Sequence, residues 1–551
     1  MATRSYLRIQ LGVTASECAS ECVGESDGRS PSVKKLAAWS LLILVAVPLA
    51  AQTGSDADVL ARIRDEANAR SQILRSVHFL TDRYGPRLTG SPNLKAAGEW
   101  AVTTMHSWGL TNGHLEPWNW GRDGWVNERF SAHIVSPVKD SLVGEVLAWT
   151  PGTNGVITAQ AFHLRYPERP NSDQLTTYLN GVRDQVRGRI VLVDPITTPP
   201  IDLSPPPARR NDDDVRRRFG PGPQDSAERS KAQPGEPVPP LSNAIVSRRI
   251  DEFLVAAGAR IRVDDAQRPH GQVTAFNNPN YDISTAVPSV ILRNEDYGRI
   301  ARLLADGTPV ELEFQIVNRT YPEGRTTYNT VAEIAGTDKA DELVMIGGHL
   351  DSWQSATGAT DNAVGCAVMM EAARILRAIG ARPRRTIRVA LWSGEEQGLL
   401  GSRAYIDQHF GTFENPKPEF GKLMAYLNFD HGTGRPRGAL VFGPDAAAAA
   451  VREMLGPLAD LGIAGAAPTR SRAFGTTDHT AFNNAGLTGI DFELDPIEYD
   501  SHTHHTNLDT YERILETDAR AAAIIVAFTA YQLAMREEML PRFPRTEMPP
   551  G

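Results

Sequence analysis

The sequence predicts an α/β protein whose C-terminal half is a doubly wound, mostly parallel mixed sheet with helices on both faces. Buried-strand patterns at 342–349, 386–394 and 422–430 alternate with helical patterns such as 362–380. Strands that alternate with helices indicate a parallel sheet covered on both sides. With 551 residues, of which 41% are hydrophobic, the chain can also bury more than one core.

The elements before this sheet divide into two parts. From Val59 to Trp108 apolar residues recur at helical spacing, and from 130 to 316 short β-rich runs alternate with turns, which predicts an inserted α/β or β-rich domain. Within this insert, 204–240 is proline-rich and densely charged, which predicts a mobile surface loop. The predicted boundaries are 1–52 for a leader, 53–129 for the helical start of the main domain, 130–316 for the insert, 317–540 for the main domain and 541–551 for a tail.

The charge of the chain excludes some classes of partner. The formal net charge is −9, from 57 basic and 66 acidic residues, and neither sign is concentrated in a long block. A nucleic-acid-binding protein or a polybasic membrane-binding protein would show a basic patch. The composition therefore favours small molecules or peptides as partners, and it leaves the oligomeric state undecided.

The segment 33–51 has the pattern of a signal peptide. Two lysines precede an apolar run, and small residues follow, ending at Ala50 and Ala51. A membrane anchor is the alternative, but the run is shorter than the roughly 20 residues that span a bilayer, and it contains Pro48. We therefore expect a secreted or periplasmic protein without stable membrane insertion. Cleavage near Ala51 would leave Cys366 as the remaining cysteine, and hence no internal disulfide.

Candidate metal ligands follow the predicted strands of the C-terminal sheet. At the carboxyl edge of a parallel sheet such side chains converge. Singly, each residue would be an ordinary helix cap or a solvated turn, but their shared position predicts a metal site. The candidates are His349 and Asp351 after one strand, Asp361 at the next helix, Glu395 and Glu396 after the second strand, Asp430 after the third, and His502, His504 and His505 after the last.

The residue types suit a pair of zinc ions. Two dications held close together need a bridging carboxylate, and imidazole and carboxylate groups complete each coordination shell while leaving room for water. A further carboxylate that is not a ligand is needed to move protons during hydrolysis.

Five motifs in this order resemble the dinuclear zinc peptidases of family M28. They are GGHLDSW, GATDNAVG, SGEEQGLLGS, LNFD and HHTNLDT, which lie between 325 and 540. Within that family the chain looks most similar to the carboxypeptidase Q branch, although Trp353, Gln354 and Ser355 stand where that branch tends to carry a further aspartate. The resemblance implies the zinc exopeptidase fold and identifies the insert as a protease-associated domain.

The resemblance also implies a role for each matched residue. His349, Asp361 and Asp430 would bind one zinc ion, and Asp361, Glu396 and His505 the other, so that Asp361 is the bridge. Glu395 would be the general acid and base, and Asp351 would orient His349. His505 is preferred to His502 and His504 because it precedes TNLDT. Asp478 and His479, in a segment that also resembles the family, would line the substrate site or form a structural turn.

The predicted function is therefore that of a secreted exopeptidase with two Zn²⁺ ions per chain, which hydrolyses a terminal peptide bond of a peptide or dipeptide with metal-activated water. The amino-terminal or carboxyl-terminal preference is open. Alternatives are amide chemistry of the glutaminyl cyclase kind, or a receptor-like binding protein without catalysis. The complete ligand set and Glu395 favour hydrolysis.

Overall fold

A computed structural model describes residues 55–201, 203–221 and 241–550. In these residues the chain forms two eight-stranded sheets with helices packed against them, and the predicted α/β class is confirmed. The predicted signal peptide at 33–51 lies outside the described residues. Within the described part of the chain, no helix combines the length and the apolar character that crossing a membrane requires.

Five of the twelve α-helices in the described residues begin at side-chain caps. Ser55, for example, forms a capping box with Asp58, and Ser242 caps the helix that ends at the left-handed Gly258. The helices are α1 Asp56–Arg70, α2 Ile73–His78, α3 Pro92–Ser107, α4 Ser172–Val186, α5 Asp212–Phe219, α6 Asn243–Ala257, α7 Asn294–Ala305, α8 Val364–Ala378, α9 Leu400–His409, α10 Asp445–Leu455, α11 His479–Ala485 and α12 Glu516–Met535.

Strand β1 and strands β10 to β16 form one sheet, and the intervening strands β2 to β9 form the other. They are β1 Thr111–Asn119, β2 Gly124–Ser136, β3 Asp140–Ser141, β4 Gly144–Val146, β5 Ile157–His163, β6 Ile190–Leu192, β7 Ile261–Asp265, β8 Ser289–Leu292, β9 Glu311–Tyr321, β10 Thr326–Ile334, β11 Lys339–His349, β12 Arg385–Trp392, β13 Leu423–Asn428, β14 Pro436–Phe442, β15 Ala466–Thr469 and β16 Gly489–Leu494.

The first sheet has the order β1-β10-β12-β11-β13-β16-β14-β15. Its four central strands, β12, β11, β13 and β16, run parallel to one another, whereas β10 and β14 are antiparallel to their central neighbours. Helices α8 and α12 cover one face, and α9 and α11 the other. The central strands are buried on both faces, which is why they read as nearly continuous apolar runs in the sequence.

The second sheet uses residues 124–321 and has the order β3-β2-β9-β5-β6-β7-β8-β4. Strands β5 to β8 are parallel, and the long antiparallel pair β2 and β9 leads the chain into and out of this sheet. Helices α4 and α6 share one apolar cluster with β6. Helix α7 packs in a second cluster, which it shares with several strands of this sheet.

The mobility of the loop at 204–240 stays a prediction, but the structure gives part of this segment packing partners. Residues 203–221 pack against the first sheet through helix α5, whose Phe219 is 1% exposed and lies against Gly438. Arg209 pairs with Asp495 at 3.0 Å and also with Asp518. Several charges of this segment thus pair with residues of the first sheet and of its flanking elements, whereas Arg216 and Arg217 form exposed pairs within α5. Residues 222–240 of the predicted loop lie outside the described residues.

Candidate metal centre

The topology of the first sheet brings the candidate ligands together. His349 is the last residue of β11, Glu395 and Glu396 follow β12, and Asp430 follows β13. These three strands are parallel neighbours, so their carboxyl ends meet at one edge. The turn that precedes α8 supplies Asp361 at the same edge.

Two sets of ligand atoms share the carboxylate of Asp361. In one set, His349 Nε2 lies 3.1 Å from Asp361 Oδ1 and 3.3 Å from Asp430 Oδ1. In the other, His505 Nε2 lies 3.2 Å from Asp361 Oδ2 and 3.0 Å from Glu396 Oε2. Asp361 therefore turns one oxygen toward each set, as a bridging carboxylate would.

The spacing of these atoms fits metal coordination. Four ligands arranged tetrahedrally around Zn²⁺, with bonds of 2.0–2.1 Å, lie about 3.3 Å apart. The measured separations within the two sets run from 3.0 to 3.3 Å. In addition, Glu396 Oε1 is buried and has no hydrogen-bond partner among the described residues. Such an oxygen is costly in a protein interior unless a cation or donor reaches it.

The charges of the centre also call for a cation. Burial, reinforced by the Asp361 carboxylate, raises the pKa of Glu396 to about 7. Burial also raises the pKa of Glu395 well above its usual range, with help from the carboxylates of Asp430 and Asp478 against the opposing effect of His349. Although burial alone would lower it, the pKa of His505 rises to about 11, mainly because Glu396 and Asp361 face it. Negative charge is thus crowded at this edge.

The three histidines of the loop 501–510 differ in how closely they approach the carboxylates of the centre. His505 contacts both Asp361 and Glu396, whereas the Nε2 of His504 lies 4.0 Å from Asp361 Oδ2 and makes no closer approach to a carboxylate. The ring of His502 turns to the hydroxyl of Ser501. Asp361, His504 and His505 still form a group compact enough to hold an ion, but the distances favour His505.

Asp351 has a different contact from the one expected. The acceptor nearest to His349 Nδ1 is the backbone carbonyl of Asp351 at 3.0 Å, and the Asp351 carboxylate lies 3.6 Å away. That carboxylate instead accepts hydrogen bonds from the backbone N–H groups of Glu395 and Glu396, both at 3.3 Å, and from the Thr89 hydroxyl at 3.0 Å. Asp351 therefore fixes the turn that carries the two glutamates.

The structure does not place Asp478 and His479 on an open surface. They are 0% and 2% exposed, and His479 Nδ1 lies 3.5 Å from the buried Asp491. Asp491 in turn accepts hydrogen bonds from His431 and Asn428, which flank Asp430. His479 thus belongs to a buried polar cluster behind Asp430. Both carboxylate oxygens of Asp478 are buried without a hydrogen-bond partner among the described residues, and the choice between a substrate-site and a structural role stays open.

Two residues that sequence reasoning did not single out hold the loops of the centre. Asp509 accepts hydrogen bonds from the backbone N–H groups of Thr360 at 2.6 Å and Asp361 at 3.0 Å. The fully buried guanidinium of Arg87 donates to the carbonyls of Leu350, Thr357 and Gly358. Asp509 lies in the quoted motif HHTNLDT, whereas Arg87 lies outside the five motifs. Nothing in the local pattern of either residue distinguishes it from a capping or surface residue.

Comparison with known proteins agrees with this geometry. Residues 329–530 match the model of peptidase family M28. Carboxypeptidase Q of Mus musculus is 27% identical over 468 residues, which cover 84% of this chain and 86% of the mouse protein. Carboxypeptidase Q of Homo sapiens is 26% identical over 500 residues, which cover 89% of this chain and 91% of the human protein.

Solved structures show the same fold. A peptidase M28 precursor from Shewanella amazonensis superposes with a TM-score of 0.62 at 24% identity and covers 89% of this chain and 99% of its own. A zinc aminopeptidase from Bacillus subtilis superposes with a TM-score of 0.53 at 18% identity, over 85% of this chain and 95% of its own. At these identities the likeness concerns the fold alone.

Proposed function

We propose that this hydrolase of the metallopeptidase class, whose residues 329–530 match the model of peptidase family M28, is an exopeptidase with two zinc ions. The observation that carries the proposal is the carboxylate of Asp361, which turns one oxygen toward each of two sets of ligand atoms. His349 and Asp430 would complete one set, and His505 and Glu396 the other. The zinc aminopeptidase fold of the Bacillus subtilis neighbour supports the choice of metal.

When bound, zinc would polarise the scissile carbonyl and lower the pKa of the attacking water. Glu395 would accept the proton of that water and deliver it to the leaving amine, which is the task of a general base that becomes a general acid. Asp351 would keep Glu395 in place through the backbone N–H of that residue, at 3.3 Å. Asp509 would hold the backbone of the bridging Asp361 in the same way.

We propose peptides or dipeptides as substrates, with either an amino-terminal or a carboxyl-terminal preference. Among the similar proteins, carboxypeptidase Q is named for cleavage at the carboxyl terminus and the Bacillus subtilis aminopeptidase for cleavage at the amino terminus.

Metal removal and blocked substrates test this function together. We expect the purified protein to contain about two zinc ions per chain, and we expect dialysis against a chelator to abolish hydrolysis until zinc is restored. Initial rates should be compared for free-amine and N-blocked dipeptides, and for free and amidated carboxyl ends. Activity on free-amine substrates alone would assign an aminopeptidase. Hydrolysis that survives complete metal removal would refute the proposal.

We propose that the mature enzyme is secreted or periplasmic, because the pattern at 33–51 is that of a signal peptide. Amino-terminal sequencing of the protein isolated from its natural source is expected to begin near Gln52. A mature chain that still carries residues 1–30 would contradict export by this route.

A further inference from the structure

The two candidate histidine ligands are oriented in different ways. The Nδ1 of His349 lies 3.0 Å from the backbone carbonyl of Asp351, which is the usual arrangement for a ligand histidine, whose second ring nitrogen donates to an oxygen. Among the residues that the structure describes, the Nδ1 of His505 has no such partner. The ring of His505 contacts Asp361 and Glu396 through Nε2, but no hydrogen bond at Nδ1 from the described residues fixes its second nitrogen.

An aromatic ring from the second sheet takes this place. Phe276 lies in the connection between β7 and β8, and its ring meets that of His505 edge to face, with centroids 5.3 Å apart and planes at 82°. Edge-to-face pairs of this kind stabilise the two rings beyond the apolar area they bury. The ring of His504 also lies close, with its centroid 3.8 Å from that of His505. Two rings thus contact the imidazole, and that of Phe276 is the one supplied by a distant part of the chain.

The backbone of His505 also needs support from its surroundings. Its φ is +60°, in the left-handed region that a residue with a side chain seldom adopts. Such a conformation is strained and persists only where neighbouring contacts determine it. The contact with Phe276 is one of these, and it comes from a part of the chain more than 200 residues away.

Phe276 is itself fixed by residues that flank both ligands. The side-chain amide of Gln354 donates to the carbonyl of Phe276 at 3.0 Å, and the ring of Trp353 lies 5.1 Å from that of Phe276. Asn507, two residues after His505, donates its backbone N–H to the carbonyl of Val273 at 3.0 Å. The Asn507 side chain accepts from the N–H of Val273 at 2.8 Å.

We propose that Phe276 is a positioning residue for His505, so that the chain segment of the second sheet completes the metal site formed by Asp361, Glu396 and His505. This inference rests on the proposed two-zinc centre. Its consequence is an asymmetry between the two sites. The site of His349 and Asp430 is oriented by hydrogen bonds within the first sheet, whereas the site of His505 depends on the second sheet.

Zinc affinity, measured without reference to activity, tests this inference. Phe276→Leu keeps an apolar side chain but removes the ring, and it is expected to weaken the binding of one of the two zinc ions about 10- to 100-fold while the other keeps its wild-type affinity. Phe276→Tyr restores the ring and is expected to stay within about 3-fold of the wild type. Affinities are obtained by competition with a chromogenic chelator, and the zinc content by elemental analysis.

Two further variants sharpen the result. Ile283→Ala removes a side chain of nearly the same exposure, 39% against 41% for Phe276, and should leave both affinities unchanged. Gln354→Met removes the amide that holds the backbone of Phe276 while leaving its ring intact, and it should weaken the same single site to a smaller degree. Thermal unfolding followed by circular dichroism establishes that each variant is folded.

The outcomes separate this inference from the proposed function. Wild-type affinity at both sites in Phe276→Leu, equal weakening at both sites, or failure of Phe276→Tyr to restore binding would overturn the role of Phe276. If Phe276→Leu does not fold, unchanged affinity in Gln354→Met overturns it. A wild-type protein that binds no zinc and hydrolyses no peptide would instead refute the metal centre itself.

Discussion

Replacing Glu395 with glutamine is expected to lower kcat/KM for dipeptide hydrolysis about 10²- to 10⁴-fold. The carboxamide has nearly the same shape as the carboxyl group but cannot accept and return a proton. Because Glu395 is not among the atoms that form the two ligand sets, the zinc content should remain that of the wild type. Steady-state kinetics and elemental analysis of the same preparation measure both quantities.

The neighbouring glutamate supplies a matched control. Glu396→Gln is the same chemical change one residue away, but it removes an oxygen that lies 3.0 Å from His505 Nε2. This variant is expected to lose zinc as well as activity. An active Glu395→Gln enzyme would remove Glu395 from the role of acid and base, and a zinc-depleted one would show that Glu395 acts mainly on the metal centre.

Replacing Arg87 with methionine is expected to lower the free energy of unfolding by about 3–5 kcal/mol, because it leaves several buried carbonyl groups without a donor. The guanidinium donates to Leu80 and Thr357 at 2.7 Å, to Leu350 at 2.6 Å and to Gly358 at 2.9 Å. Burial lowers the pKa of Arg87, so removing the charge relieves part of its desolvation cost. The loss of four acceptor contacts outweighs that relief. Urea unfolding gives the difference.

A nearby arginine provides the comparison for Arg87. Arg83 is exposed, and Arg83→Met is expected to change the stability by less than about 0.5 kcal/mol. Arg87→Lys should fall close to Arg87→Met, since a single ammonium group cannot replace the planar fork of donors. Equal stability of Arg87→Met and the wild type would show that the loop from 350 to 358, which leads to Asp361, does not depend on this clamp.

The first sheet could be predicted closely from the sequence. The expected strands at 342–349, 386–394 and 422–430 appear as β11, β12 and β13, with ends shifted by at most three residues. Their apolar runs are long because both faces of the sheet are covered, and this makes the signal strong. The same topology determines that residues following these strands meet, which is why the sequence could predict that His349, Glu396 and Asp430 lie together.

Residue type and order along the chain were thus enough to determine the α/β class, the edge at which polar side chains converge and the resemblance to peptidase family M28. The tertiary structure decided the rest. The carboxylate of Asp351 turns to the backbone of Glu395 and Glu396, helix α5 packs on the first sheet, and Phe276 reaches His505 across more than 200 residues of sequence. Each of these depends on the direction of a side chain and on contacts between distant segments. Local periodicity carries no information about either, because it reports only which face of an element is buried.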